Sequence, residues 1–416
     1  MFARHAPAAA SPLADAGAPL LRTLGSNQLG MREFNERVIL RAIRLHGAMP
    51  KADLARLTRL STQTVSVIIN RLLAEGMVVK RDSLRGRVGQ PSQPIALHPD
   101  GAFSIGIQIG RRRLKVMLMD FTGQPRHLST LAYATPDVEQ VFAEIAVQLR
   151  AIEDLLGPDK ARRLNGIGVS APLVFGGWHE LLGMPAGDAA AWSQLRMDER
   201  LKALTALPLE FAKDTAAASV AELVAGQGRN VRSYAYVFID TLIGGGLVLD
   251  GQPHAGRFGN AGAFGSLPLG LAGRGMDAEA PPAQLLDVAS LIGLEQAYAQ
   301  AGLDETASAD GRALQAPWLA LTDAWIARAA DAIACAVLGA ACLLDMQAVI
   351  IDGAIARDFL ARLLGAVESA MARYEWQGVV RPEVLAGAIG PDAKVSGAAY
   401  LPLHAHFAPV HDVFLK

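Results

Sequence analysis

The chain is poor in cysteine: its 416 residues include only Cys335 and Cys342, which lie seven residues apart in an apolar, alanine-rich stretch. On a helix this spacing places the two thiols two turns apart on one face, which is too far for a disulfide bond. We therefore expect two reduced thiols buried in the core, as is typical of a protein from a reducing cytoplasm.

Long hydrophobic runs are also lacking, because no stretch of uncharged apolar residues reaches the length of a membrane span. Residues 1–20 are rich in Ala and Pro but lack the compact hydrophobic segment of a signal peptide. We interpret residues 1–25 as a disordered tail. The sequence thus predicts a cytoplasmic protein that makes no membrane contact.

The net charge is close to zero, at −1, but this value hides an asymmetry. Residues 1–100 contain 14 Lys and Arg against 7 Asp and Glu, whereas the rest of the chain contains 25 against 33. A basic front on an acidic body predicts a nucleic-acid-binding module joined to a second unit, with chance clustering as the alternative. The length and the apolar content of 51% indicate two or three folding units.

The pattern over residues 26–99 predicts three short helices followed by a β-hairpin. Apolar residues recur at helical spacing over 31–46, and a second short helix follows. Ser61 is the predicted N-cap of a third helix, which stops at Gly76. Two short apolar segments flank a polar, Gly-containing turn and are typical of paired strands. This order is that of a winged helix-turn-helix DNA-binding unit.

The third helix carries the predicted DNA-reading surface. Its apolar side chains form one inward stripe, and its opposite face contains no acidic residue from Ser61 to Ala74. Amides, small hydroxyls and Arg on such a face can approach phosphates and base edges, although an ordinary solvated face is the alternative. The predicted DNA-contacting residues of this helix are Ser61, Thr62, Gln63, Thr64, Ser66, Val67, Asn70 and Arg71.

The turn between the two strands is the predicted wing. Arg85, Arg87 and Gln90 lie among glycines there. Because Gly removes side-chain bulk, such arginines can enter a minor groove, whereas a solvated loop is the alternative. Together the helix and the wing predict a double-stranded DNA operator as the partner.

After Pro99 the pattern changes to apolar strand-like runs that interleave with long helical patterns such as 137–156, 285–300 and 317–343. This interleaving predicts an α/β domain over residues 100–416. Two strand pairs, near 103–119 and 234–250, have the same form. Their similarity predicts a duplicated architecture of two lobes.

Several segments carry a family resemblance, and they occur in the order VSAPL, KDTAAASVAEL, FIDTLIGGGLVLDGQPHAGRFGNAGAFG and VSGAAYLPLHAHF. They resemble the ROK family of repressors, open reading frames and kinases. The segment LSTQTVSVIINRLLAEGMV resembles the recognition helix of its xylose- and N-acetylglucosamine-type repressors. The resemblance implies an actin-like (ribonuclease-H-like), sugar-kinase-like domain with a sugar cleft between its lobes. It also implies a homodimer or homotetramer.

The chain departs from the kinases of that family at three motifs. Their phosphate-cradling turn, of the type Asp-x-Gly-Gly-Thr-Lys, corresponds to residues 108–113, where Gln108 replaces the Asp and three arginines fill the turn. Their Glu-x-Gly-His sugar motif corresponds to Ala-Phe-Gly-Ser at 263–266. The family's zinc loop has no counterpart, because residues 267–290 contain neither Cys nor His. These departures imply no catalytic residue, no cofactor and no metal.

Part of the sugar cleft remains in the sequence. Asp214 matches the family's catalytic Asp and can accept a hydrogen bond from a sugar hydroxyl, with a role as helix N-cap as the alternative. The glycines that remain either shape an effector cleft or only serve turns. The candidate effector-binding residues are Lys213, Asp214, Gly245, Asn260 and Gly262.

We therefore expect a sequence-specific transcriptional regulator of carbohydrate uptake or metabolism genes. The resemblance favours a repressor whose non-catalytic kinase-like domain binds a sugar or sugar-phosphate effector. One alternative is a sugar kinase with an appended DNA-binding domain. The other is a regulator that responds to no effector and uses the domain only as a dimerisation scaffold.

Overall fold

The computed structural model describes residues 28–82, 93–173, 183–270 and 282–409 of the chain. The sequence predictions that lie outside these residues are the tail over 1–25 and the wing residues Arg85, Arg87 and Gln90.

The N-terminal part of the chain forms three helices and a two-stranded antiparallel sheet, which confirms the predicted winged helix-turn-helix order. Arg59 has a left-handed backbone conformation (φ 56°) that ends the second helix and turns the chain toward the third. Ser61 caps the third helix as predicted, since its hydroxyl accepts a hydrogen bond from the amide of Thr64 at 3.1 Å. The elements are α1 (Gln28–His46), α2 (Lys51–Thr58), α3 (Thr62–Ala74), β1 (Val78–Lys80) and β2 (Ile95–Leu97).

The first lobe is built on a five-stranded sheet. Its elements are β3 (Phe103–Ile109), β4 (Arg113–Asp120), β5 (Pro125–Ala132), α4 (Val138–Ala161), β6 (Leu164–Ala171), α5 (Ala186–Gln194), α6 (Met197–Lys202) and β7 (Leu209–Lys213). The strand order is β5-β4-β3-β6-β7, in which β5, β4 and β3 pair antiparallel while β6 and β7 join in parallel.

The second lobe repeats this plan. Its elements are α7 (Asp214–Ala225), β8 (Tyr234–Ile239), β9 (Gly244–Leu249), β10 (Gln252–His254), α8 (Leu285–Ala289), α9 (Leu291–Gln300), α10 (Leu319–Leu344), β11 (Ala348–Gly353), α11 (Arg357–Met371), β12 (Glu383–Ala386) and α12 (Ala393–Phe407). The strand order β10-β9-β8-β11-β12 has the same pattern of antiparallel and parallel pairing as the first sheet. The predicted duplication is therefore confirmed.

Helices α7 and α12 lie between the two sheets and pack against each other, α12 on the first sheet and α7 on the second. Their approach requires glycine. A Cβ added to Gly397 would lie 1.8 Å from the carbonyl oxygen of Ala217, and one added to Gly168 would lie 1.8 Å from that of Ala398. No other residue fits at either position without displacing backbone.

The DNA-binding unit is packed onto this body rather than tethered to it. Its buried residues, among them Ile39 and Ile43 of α1, belong to one hydrophobic cluster with Phe121, Ala399 and Leu403 of the larger domain. Burial of this continuous apolar surface fixes α1 against α12.

The structure corrects three expectations. Cys342 is exposed and Cys335 is half-buried, because both lie toward the outward side of α10, so the predicted burial of both thiols is wrong. The helix predicted over 285–300 is two helices separated at Ser290, whose hydroxyl accepts a hydrogen bond from the amide of Ile243 at 3.0 Å. The segment near 393–407, for which no helix was predicted, forms the central helix α12.

Helix α10 has 26 residues and is the one described helix that is long and apolar enough to cross a membrane. Its buried side chains, including Trp325, Ile333 and Val337, pack in the core of the second lobe. That position accounts for its composition, because a core helix of a globular domain is apolar for the same reason.

Candidate DNA interface and interlobe cleft

The outer face of α3 lies at the surface of the DNA-binding unit. The predicted inward stripe of Val65, Ile68, Ile69 and Leu72 is buried. On the opposite side Thr62 and Gln63 are exposed, and 62% of Val67 is accessible to solvent. An exposed valine beside amide and hydroxyl groups is suited to contact with a thymine methyl group and adjacent base edges.

The C-terminal end of the predicted surface is held by other parts of the unit. Asn70 accepts a hydrogen bond from the Lys51 ammonium at 3.0 Å. Arg71 forms ion pairs with Glu75 at 2.7 Å and with Glu36 of α1 at 3.3 Å. These contacts lie at the surface, where ion pairs are weak, so a phosphate can compete for the Arg71 guanidinium. Nearer the N-terminus of the helix, Gln63, Ser66 and Val67 have no such ion pair or side-chain hydrogen bond among the described residues.

The interlobe cleft has a free volume of about 850 Å³, including space open to solvent. Three of the predicted effector-binding residues line it: Lys213, Asp214 and Asn260. The other two, Gly245 and Gly262, do not line it. A Cβ on Gly245 would lie 2.4 Å from the Tyr236 carbonyl oxygen, and Gly262 has φ +74° and packs on the backbone of Gly246. Packing and turn geometry thus account for these two glycines.

A buried ion cluster closes the base of the cleft. The Lys394 ammonium lies 2.7 Å from Asp214 Oδ2 and 2.7 Å from Asp240 Oδ2. Asp214 follows the last strand of the first sheet, Asp240 follows β8 of the second, and Lys394 enters from α12. The ammonium therefore joins the two lobes. We refer to these three residues as the lysine cluster.

Both oxygens of Asp214 are engaged, since Oδ1 accepts a hydrogen bond from the amide of Thr215 at 2.8 Å. Lys213, and not Asp214, stands at the N-cap position of α7, so Asp214 is the first residue of the helix and not its cap. Burial would raise the pKa of the Asp214 carboxyl, but the Lys394 ammonium and the Arg111 guanidinium lower it below its ordinary value. A carboxylate so stabilised is a poor general base, because a proton on it would displace these partners.

The turn that corresponds to the family's phosphate turn is filled by arginine side chains. Arg112 forms an ion pair with Glu295 of α9 at 2.8 Å and so crosses from the first lobe to the second. Burial raises the pKa of Glu295 despite this partner. The Nε atom of Arg111 is buried and has no acceptor among the described residues. The turn thus carries positive side chains where a nucleotide-binding turn needs open backbone.

The described parts of the chain contain no group of three or more His, Cys, Asp and Glu side chains arranged to hold a metal ion.

The chain joins a winged helix-turn-helix unit to a duplicated, two-lobed α/β domain with the sugar-kinase fold. The chain belongs to the ROK family, whose model matches residues 104–405. A model of the MarR family matches residues 34–87, within the DNA-binding unit.

The relatives of the chain include both regulators and kinases. It is 22% identical over 249 residues to the xylose repressor of Bacillus subtilis, covering 59% of this chain and 62% of that protein. Among solved structures it is similar to a ROK family transcriptional regulator described as a homologue of the E. coli MLC protein, with a TM-score of 0.65, 19% identity and coverage of 93% and 99%. It is also similar to the ROK hexokinase of Thermus thermophilus, with a TM-score of 0.54, 22% identity and coverage of 71% and 97%.

These similarities establish the fold and the family. The matches span about three-fifths of the length of the curated relatives. The two kinds of structural relative share one fold, so fold alone does not separate a regulator from a kinase.

The sequence did not predict two residues of the lysine cluster, Asp240 and Lys394. The signal for Lys394 was a single ammonium in an apolar, small-residue segment, which implies burial with an acidic partner. Its partners lie 180 and 154 positions away, so no local pattern identifies them.

Proposed function

We propose that the chain is a cytoplasmic, sequence-specific repressor of transcription that reads an operator with α3 in the major groove. The observation that carries this proposal is the exposed, carboxylate-free face of α3, on a helix capped and buried as a recognition helix needs to be. The name of the xylose repressor relative and the basic charge of the first 100 residues support it.

Gln63 provides the sharpest test of DNA reading. Duplex sequences are selected from a random pool by the purified full chain, and affinity is then measured on the enriched site at fixed salt. Gln63→Ala should weaken binding about 5- to 150-fold there and relax the preference for one base, as loss of a bidentate amide–adenine contact would. Gln296→Ala, which removes an exposed glutamine on α9, is the matched control. Failure to enrich any sequence would contradict the proposal as a whole.

We further propose that the kinase-like domain binds a sugar-type effector in the interlobe cleft without phosphorylating it. Lys213, Asp214 and Asn260 line the cleft and offer hydrogen-bonding groups to hydroxyls. The lysine cluster engages Asp214, and arginines occupy the turn that would hold a nucleotide. Phosphoryl transfer requires donor, metal and acceptor in place together, so the loss of one site removes the activity.

The test of the second proposal separates binding from turnover. Glucose, xylose, N-acetylglucosamine and their 6- or 5-phosphates are screened for a rise in melting temperature, and ATP consumption is followed in the same samples. A rise without ATP consumption is the expected result. Sugar-dependent ATP consumption would identify a kinase, and no rise with any compound would identify a dimerisation scaffold.

Two further parts of the proposal rest on the family resemblance. The wing residues Arg85, Arg87 and Gln90 are proposed to contact the DNA backbone or minor groove. The domain is proposed to hold two or four subunits together, so that two copies of α3 reach neighbouring half-sites.

A further inference from the structure

A second enclosed space lies where the DNA-binding unit meets the larger domain. This seam cavity is bounded by α1, α7 and α12, and it holds about 630 Å³ of free volume, including the part that opens to solvent. Its apolar walls come from all three helices: Leu40, Leu45, Leu223, Val224, Leu403 and Phe407.

The charges in the wall of the seam cavity are all of one sign. Arg41 and Arg44 of α1 carry these charges, His404 of α12 also lines the cavity, and none of the lining residues is acidic. The Nη1 atom of Arg44 is buried without an acceptor among the described residues. Arg44 packs instead on the ring of Phe121, with its guanidinium carbon 5.1 Å from the ring centre. A buried guanidinium without an anion is unfavourable, and a site that contains one is suited to accept an anion.

Nearby groups balance only part of this positive charge. Burial lowers the pKa of the Arg44 guanidinium, and Tyr400 and Asp120 offset only part of that effect. The oxygens of Asp120 accept hydrogen bonds from the backbone and side chain of Thr122, from the Gln124 amide and from Arg126. The carbonyl oxygens at the C-terminal end of α12 are paired with Arg37, which donates hydrogen bonds to those of residues 405 and 408. The positive wall of the seam cavity therefore stays unbalanced by the described residues.

His404 adds a neutral donor beside the two guanidinium groups. Burial, together with Arg41 and Arg44, lowers the pKa of its imidazole to about 4. The ring is therefore uncharged near neutral pH and can donate one N–H hydrogen bond to an anion.

We propose that the seam cavity binds a small organic anion with an apolar body, of the medium-chain carboxylate type. A carboxylate matches the fork of the Arg44 guanidinium, and the leucine, valine and phenylalanine side chains would surround the hydrocarbon part. This site is separate from the interlobe cleft. Because one of its walls is α1, its occupant bears directly on the attachment of the DNA-binding unit.

The test uses the full chain and hexanoate, with hexanol, acetate and inorganic phosphate as comparison compounds at matched ionic strength. Hexanoate should raise the melting temperature saturably and release or absorb heat in a calorimetric titration, since a ligand that binds only the folded state stabilises it. Hexanol lacks the anion and acetate lacks the apolar body, so both should bind at least tenfold more weakly. Phosphate binding as tight as that of hexanoate would overturn the requirement for an apolar body.

Arg44→Met keeps the volume of the side chain and removes its charge. It should melt no lower than the unsubstituted chain and should bind hexanoate at least tenfold more weakly. Arg150→Met, which removes an exposed arginine on α4, is the matched control and should leave binding unchanged. Val224→Phe fills the cavity while keeping all three polar groups, and it should also abolish binding. No response of the unsubstituted chain to hexanoate, or equal binding by Arg44→Met and the unsubstituted chain, would overturn the proposal.

Discussion

The two ends of the α7–α12 pair differ in how they handle buried charge. At the cleft end, Lys394 is enclosed by two carboxylates, and every charge of the lysine cluster has a partner at 2.7 Å. At the seam end, Arg41, Arg44 and His404 face an apolar space whose lining has no carboxylate. The α7–α12 pair thus adjoins a balanced cluster at one end, and at the other end it packs against α1, whose two arginines have no carboxylate in the shared lining.

This difference indicates a structural role for the lysine cluster and a binding role for the seam cavity. A balanced buried cluster needs nothing from outside, and it fixes the lobes because removing any member leaves a charge unpaired. An unbalanced cluster persists only where water or a ligand completes it. In the cleft, Lys394 pairs with the Asp214 carboxylate, whereas the lining of the seam cavity has two arginines and no carboxylate.

Among the variants considered, replacement of Lys394 should lower the free energy of unfolding the most. Lys394→Met leaves Asp214 and Asp240 buried and facing one another, so it should reduce the free energy of unfolding by about 3–5 kcal/mol. Urea denaturation of the full chain, followed by tryptophan fluorescence, measures the change.

A variant that removes all three charges of the lysine cluster shows whether unpaired charge causes the loss of stability. In Lys394→Met combined with Asp214→Asn and Asp240→Asn, no charge is left unpaired, and most of the lost stability should return. If Lys394→Met alone is as stable as the unsubstituted chain, the lysine cluster does not hold the lobes together.

The pH dependence of stability tests the role of His404 in the seam cavity. Its folded pKa of about 4 lies below the ordinary value of 6.5, so the unfolded chain binds the extra proton between these values. Stability should therefore fall as the pH drops from 6.5 toward 4, by up to about 3 kcal/mol from this group. His404→Gln should flatten that part of the pH profile.

The matched control for His404 is His254→Gln, which removes an exposed imidazole on β10. It should leave the slope between pH 4 and 6.5 as it is in the unsubstituted chain. An equal slope in both variants would place the pH dependence elsewhere in the molecule.

The smallest effect is expected at the rim of the cleft. Arg112→Ala removes the partner of Glu295, but Arg112 is 43% exposed, so the loss should be no more than about 1 kcal/mol. Arg113→Ala, at an exposed neighbouring position with no ion pair among the described residues, should cost less still. If Arg112→Ala lowers the free energy of unfolding more than Lys394→Met does, the Arg112–Glu295 pair and not the lysine cluster is the main contact between the lobes.

Sequence reasoning succeeded where the pattern was local. The spacing of Val65 and Ile68, and the cap at Ser61, predicted α3 and its buried face, and the repeated strand pairs predicted the two lobes. It does not predict α12, which contains Gly397 and Pro402, the two residue types with the lowest helix propensity. Gly397 is required by the nearby backbone of α7, and that requirement is visible only in three dimensions.

The same limit applied to the two sites. The side chains of the recognition helix are neighbours along the chain, so their shared face follows from helical periodicity. The lysine cluster and the seam cavity each combine residues from distant elements, and their chemistry depends on which charges meet. Asp214 was identified by family resemblance, but its neutralisation by Lys394 could not be read from either segment alone.

The glycine contact between α7 and α12 limits how these two helices can move relative to each other. Because the Ala217 carbonyl oxygen occupies the space of a side chain at Gly397, sliding one helix along the other would drive an alanine Cβ into backbone. The contact therefore opposes sliding of α7 and α12 past each other, and any side chain at position 397 would have to displace the backbone of α7.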